Sequence, residues 1–185
     1  MDNISLSVQV LLQEMTKAAV PFRRFEHHLH AVVLDDHFRS LADPGLKPKW
    51  PKRRELLAKQ ISADPCSLND TVFHDQLQNI WFITLSSIFE YLCIKRDPVP
   101  EDRMRGYIDE IVDNRNAVAH GRQSAHGVGR RITSSDLEER LDAVMKVVDH
   151  VLFCFEEYLQ NREFIDIRHR AGYVAPASAG TPSSP

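Results

Sequence analysis

Apolar residues recur at spacings of three and four over most of this chain. From Ile4 they fall at Val8, Leu11, Leu12, Met15, Ala19, Phe22, Leu29, Val32 and Val33, which is the one-sided pattern of a helix that buries a single face. Pro21 interrupts the pattern, and a proline removes a backbone donor and clashes with the turn before it. Two helical pieces are therefore predicted, near 4–19 and 22–41, with a kink or division at Pro21. Asp43 to Pro51 carries Pro44, Gly45, Pro48 and Pro51 and predicts an extended loop, followed by a short helix from Lys52 to Ile61. Past Asp64 and Pro65, the positions of Phe73, Leu77, Ile80, Trp81, Leu85, Ile88, Phe89 and Leu92 predict a helix from Val72 to Lys95. It is apolar almost all round, as suits the centre of a bundle. Asp97-Pro98 ends it, and the next helix is predicted from Glu101 to His120, with Gly121 as its stop. A polar, flexible loop should cover Gly121 to Ser134. Ser135-Asp-Leu-Glu138 then reads as a capping box, opening a long last helix striped by Leu137, Leu141, Val144, Val148, Val151, Leu152, Phe155 and Leu159.

With only seven glycines and no run of short alternating strands, these elements give an all-α class. At 185 residues and 43% hydrophobic content the chain suits one domain with a real core. That domain is expected over 1–171, because the Ala, Pro, Ser and Gly content from Gly172 onward cannot bury enough surface to order a tail over 172–185. The net charge of -3 excludes a globally basic nucleic-acid coat, so charge has to be read locally. Cys66, Cys93 and Cys154 are odd in number and far apart, and they read as reduced core thiols. The start Met-Asp-Asn-Ile-Ser has no basic, apolar leader, and no apolar run reaches the ~18 residues of a membrane span. A cytoplasmic protein without a membrane partner is expected.

Two stretches carry candidate chemistry. Lys47, Lys49, Lys52, Arg53 and Arg54 surround Trp50, the mixture of cations and a stacking surface that single-stranded nucleic acid uses. A solvated basic loop with its tryptophan docked on the core is the other reading of the same residues. The second stretch is Arg115-Asn-Ala-Val-Ala-His-Gly121. At about 100° per residue, Met104, Tyr107, Ile108, Ile111, Val112, Val118 and Ala119 form one apolar arc with Arg115 in its middle. A guanidinium there must be paired inside the protein, for instance with Glu90 or Asp113, or must face a cleft where an anion can meet it. Asn116 and His120 lie beside each other along the edge of that arc. His120 falls in the last turn, where the unpaired carbonyl groups of a helix attract a cation. The gap between Arg115 and His120 is not informative in itself, since Arg23 and His28 repeat it. The setting distinguishes Arg115: an apolar face, a neighbouring asparagine, a glycine stop, and a basic loop with Arg122, Arg130 and Arg131. His27, His28, His30 and His37 offer no complete ligand set, so no metal is expected.

Ile111-Val-Asp-Asn-Arg-Asn-Ala-Val-Ala-His-Gly121 resembles the Arg-polar-x-x-x-His signature of HEPN domains, all-helical modules of which many are metal-independent endoribonucleases. The order of long helices around it agrees with that family. The resemblance implies an antiparallel bundle of four to six helices that forms a homodimer, with the two Arg-His stretches meeting in a cleft. It assigns Arg115 to the scissile phosphate, Asn116 to orientation and His120 to proton transfer, with no cofactor. RNA is the implied ligand, with Arg122, Arg130, Arg131, Lys49, Trp50 and Lys52 as RNA-binding candidates. The implied role is that of a toxin or antiphage defence effector, with an antitoxin or other neutralising protein as a further partner. A non-catalytic module that binds RNA, nucleotide or a protein through the same cleft is the rival reading. One branch of the family carries, one residue after the histidine, a tyrosine that a partner nucleotidyltransferase modifies. Position 122 is arginine here, so that form of neutralisation is not implied.

Overall fold

The computed structural model describes residues 2–42 and 49–173. Its helices are α1 (Asp2–Lys17), α2 (His30–Val33), α3 (Asp35–Ala42), α4 (Lys49–Gln60), α5 (Phe82–Tyr91), α6 (Arg103–Ala119), α7 (Ala125–Gly129), α8 (Ser134–Gln160) and α9 (Ile167–Arg170). Among the described residues six of these reach eight residues or more, within the expected range for an all-α bundle. α8 is the central wall. Its buried positions Ala143, Val147, Val151, Cys154, Phe155 and Tyr158 meet α1, which buries Ile4, Val8, Leu11, Leu12 and Met15. α6 lies beside the first half of α8 and buries Met104, Ile108, Val112 and Ala117.

Polar pairs fix that register. The Tyr107 hydroxyl donates to Glu139 Oε1 at 2.7 Å, and Arg140 makes a two-pronged bond to Glu110 through Nε at 3.0 Å and Nη2 at 3.1 Å. Near the other end, His150 Nε2 lies 2.9 Å from Asp97 O, just ahead of α6, so α6 runs antiparallel to α8 and its end points toward the start of α8. α5 is started from outside its own sequence: Asp109 of α6 accepts the Phe82 N–H at 2.8 Å, supplying the acceptor that a helix N-terminus lacks. After α8 the chain turns at Arg162 (φ 52) and sends the fully buried Phe164 and Ile165 back beside Phe25, whose backbone pairs with Ile165. Arg96 clasps Glu163 at 3.1 and 2.7 Å, and the Tyr158 hydroxyl donates to Leu92 O at 2.6 Å.

Several predicted boundaries are corrected. Of the two outcomes expected at Pro21 the structure shows division rather than a kink: α1 stops at Lys17, the chain turns at Ala19 (φ 48) and Pro21 bridges to Pro65. The piece expected over 22–41 is cut into a 3-10 turn at Phe22–Arg24, an extended Phe25, α2 and α3. Of the loop expected over Asp43 to Pro51, residues 43–48 lie outside the described residues. Lys49, Trp50 and Pro51 open α4 instead, since a proline in a first turn loses no intrahelical bond. The helix expected over Val72 to Lys95 shrinks to α5, preceded by a 3-10 turn at Gln76–Gln78 and extended backbone at Asn79 and Trp81. The box that caps α8 is Thr133 with Asp136, two residues ahead of the predicted Ser135 with Glu138: Thr133 Oγ1 accepts the Asp136 N–H at 3.1 Å and Asp136 Oδ2 accepts the Thr133 N–H at 2.9 Å. Gly172 and Tyr173, assigned by composition to the tail, belong to the folded body, for Tyr173 packs on the core and Arg24 donates to its hydroxyl at 2.7 Å. The remainder of the expected tail, 174–185, lies outside the described residues.

One buried polar side chain locks the segment between α1 and α3. His30 is 8% exposed, and its Nδ1 and Nε2 each lie 3.0 Å from a backbone carbonyl oxygen, of His27 and Phe22 respectively. His30→Ala removes both contacts and leaves a void, for which a loss of about 2 kcal/mol is expected. Urea unfolding followed by circular dichroism measures it, with the midpoint moving down and the slope unchanged.

Candidate functional site at the end of α6

α6 outruns the core that it packs on. Met104, Ile108 and Val112 are buried, but Arg115, Val118 and Ala119, on the same arc, are exposed. The apolar arc thus runs out at the surface, and Arg115 is neither buried nor ion-paired with Glu90 or Asp113. Its Nη1 donates instead to Asn79 Oδ1 at 2.8 Å, from the extended stretch before α5. The helix stops as its glycine requires. Gly121 takes φ +68, a conformation that costs a residue with a Cβ but not glycine. Its N–H bonds Val118 O at 3.1 Å, the His120 N–H bonds Asn116 O at 3.0 Å, and the chain folds back far enough for Gln123 N–H to reach Ala117 O at 3.1 Å. His120 is left as an exposed C-cap and Asn116 is half-buried.

The loop that follows, expected to be flexible, contains a helical turn. Ser124 Oγ accepts the Gly127 N–H at 3.0 Å to start α7, which packs on α6. Arg122 and Arg130 are exposed, and Arg131 donates from Nη1 to Gln123 Oε1 at 3.3 Å. The structure therefore keeps Arg115, Asn116, His120, Arg122, Arg130 and Arg131 at one end of the bundle.

Lys49, Trp50 and Lys52 belong elsewhere. They lie on α4, which packs on α3 and on the 22–24 turn, and among the described residues no hydrogen bond or ion pair joins them to the end of α6. Trp50 does not dock on the core: it is 73% exposed, with the Arg53 guanidinium 4.9 Å from its ring centre. Lys52 pairs with Glu55 at 2.9 Å. Two residues that sequence reasoning had not assigned to the site, Asn79 and Gln123, hold its arginines. Asn79 is 36 positions upstream of Arg115, so no local pattern could have found it.

The other reactive side chains have structural explanations. Burial pushes the Cys66 thiol up to about 12. Burial and the bond to Glu26 push Cys93 to about 12 as well, so both are held as neutral thiols rather than nucleophiles. Burial alone would raise the Glu26 carboxyl, but bonds from Cys93, His28 and the Leu29 amide outweigh it and leave it below its ordinary range. Among the described residues no group of three or more His, Cys, Asp or Glu side chains is placed to hold a metal ion, and no helix is long and apolar enough to cross a membrane.

No curated protein and no solved structure matches the chain. A family model does, described as HEPN_MAE_28990-like HEPN, over residues 3–164. That match runs from the second residue of α1 past the end of α8 and includes the whole Arg115 to Gly121 stretch. The chain belongs to the HEPN family.

Proposed function

We propose that the protein is a metal-independent endoribonuclease that cleaves single-stranded RNA as a homodimer, in the role of a toxin or antiphage defence effector. The observation that carries this reading is the surface position of Arg115, five residues before the exposed His120, with its guanidinium held by a neutral amide. In the proposed reaction the ribose 2'-oxygen attacks the adjacent phosphorus and the bond to the 5'-oxygen breaks. One His120 takes the 2'-hydroxyl proton, and the His120 of the second copy gives a proton to the leaving 5'-oxygen. Arg115 balances the charge that builds on the phosphoryl oxygens. The products are a 2',3'-cyclic phosphate and a free 5'-hydroxyl. Arg122, Arg130 and Arg131 would track the backbone on either side. α4, with Lys49, Trp50 and Lys52, would give a separate stacking and charge contact to a longer strand.

Unpartnered apolar surface supports a dimer. Leu137 (61% exposed), Leu141 (62%) and Met145 (58%) follow one another at four-residue steps along the first half of α8, next to its buried stripe and beside the stretch of α6 that carries Tyr107 and Glu110. Monomeric proteins rarely leave a contiguous apolar stripe of this kind bare, and a two-fold pairing through it would bring two copies of the α6 end together. The double change Leu137→Asp and Leu141→Asp is expected to leave the fold intact and to convert dimer to monomer in sedimentation at micromolar concentration, with loss of cleavage. A variant that stays dimeric would place the interface elsewhere.

The reading is tested by incubating the purified full chain with single-stranded RNA in EDTA. Fragments ending in a 2',3'-cyclic phosphate are expected. Absence of cleavage, with RNA still bound, would favour the non-catalytic binding module.

A further inference from the structure

Several arginines elsewhere in the bundle are paired with carboxylates: Arg96 with Glu163, Arg105 with Asp97 and Asp102, Arg140 with Glu110, and Arg168 with Asp166; Arg24 and Arg170, which tie the last turn to the body, are held by the Tyr173 hydroxyl and by the Glu163 and Ile165 carbonyls. A carboxylate partner fixes a guanidinium but cancels its charge. At the end of α6 the acceptors are side-chain amides. Arg115 is held by the side-chain amide oxygen of Asn79 at 2.8 Å, and Arg131 by that of Gln123 at 3.3 Å. A carboxamide oxygen accepts the same hydrogen bond as a carboxylate and carries no charge. The difference matters here because the C-terminus of a helix presents carbonyl oxygens and the negative end of its dipole, which repel an anion. Binding of phosphate beside His120 must therefore come from side-chain charge that has not been neutralised.

We infer that Asn79 and Gln123 are positioning residues that orient Arg115 and Arg131 for RNA phosphates while leaving their charges available. This deepens the proposed nuclease reading and rests on it. Asn79 suits this role because it is exposed and sits in extended backbone (φ -133, ψ 101), where its carbonyl accepts the Trp81 N–H at 3.1 Å. Its side chain can therefore change without disturbing the fold. Among the described residues no hydrogen bond engages its amide N–H groups, so they can add donors to the same anion.

The near-isosteric changes Asn79→Asp and Gln123→Glu keep the bond and cancel the charge, while Asn79→Ala and Gln123→Ala break the bond and keep the charge. If the amides served only to stabilise the structure, the acidic variants would behave as wild type and the alanine variants would be the damaged ones. Charge preservation reverses that order. The measurement is the affinity of each full-length variant for a 2'-O-methyl RNA oligonucleotide, which cannot undergo 2'-oxygen attack, over a range of KCl concentrations, beside cleavage of the unmodified strand. For Asn79→Asp we expect affinity about tenfold lower and a log K against log salt slope smaller by about one, the signature of one lost phosphate contact. For Asn79→Ala the expected loss of affinity is about threefold or less, with the slope unchanged, and Gln123→Glu should fall below Gln123→Ala in the same way. Thermal unfolding of all four should match wild type. Acidic variants that bind as well as wild type, or wild type that binds no 2'-O-methyl RNA, would overturn the inference. Ordinary binding with the expected order of variants but no cleavage of unmodified RNA would overturn only the nuclease reading.

Discussion

Alanine at Arg115 is expected to lower the rate of RNA cleavage by about a hundred- to a thousandfold, the usual cost of removing one preorganised donor to a developing oxyanion. Alanine at His120 should cost about a hundred- to ten-thousandfold, since it would remove both the base and the acid of a dimeric site. The two losses should not add, because a site without its proton-transfer groups gains little from orienting the phosphate. The measurement is single-turnover cleavage of a labelled single-stranded RNA in EDTA, with circular dichroism showing that the fold is kept. Arg115 and His120 are both exposed, so neither substitution opens a cavity, and a loss of rate would not be a loss of structure. Arg115→Lys separates charge from geometry: it keeps the cation but not the planar fork that meets two phosphate oxygens together, and it should recover only part of the lost rate. Wild-type rates in both alanine variants would remove the α6 end from the reaction altogether.

The largest effect on stability is expected at Tyr158. It is fully buried, donates to Leu92 O at 2.6 Å, and its ring centre lies 5.9 Å from that of Phe164. Burial pushes its phenol far above the ordinary range, so it remains a hydrogen-bond donor. Tyr158→Ala is expected to cost about 3 to 5 kcal/mol, as for other large buried aromatics, whereas Tyr158→Phe should cost only about 1 to 2 kcal/mol for the unpaired Leu92 carbonyl. Urea titration monitored by tryptophan fluorescence and circular dichroism gives both values. A loss under about 1 kcal/mol in the alanine variant, far below the usual range for such a ring, would mean that the turn after α8 closes without it.

The elements with a one-sided apolar face and clear stops were legible in the sequence. α8 follows the stripe of Val148, Val151 and Phe155, and α6 ends where Gly121 predicts. The stretch from Val72 to Trp81 departs from a helix for a physical reason: Phe73, Leu77 and Ile80 are buried there, but by turns and extended backbone, and burial in that geometry leaves the same apolar spacing as a helix. The true start of α5 is set by Asp109, 27 positions away. The candidate site shows the same division. Arg115, Asn116 and His120 could be singled out because they share one helix. That Arg115 reaches the surface depends on how far α6 extends beyond its neighbours, and its partner Asn79 depends on the tertiary path of the chain; spacing encodes neither.

The order of synthesis gives the α1 and α8 pairing a further meaning. α1 is made well before α8, yet they form one core, and the turn after α8 closes against Phe25. Contacts between such distant parts of a chain cannot form until the later partner exists, and they raise the contact order that slows folding. α6 leaves the ribosome before the wall it leans on, so its arginine and histidine lie on an unsupported segment until α8 has been made and has docked. A chain built this way presents its candidate site only once α8 has docked.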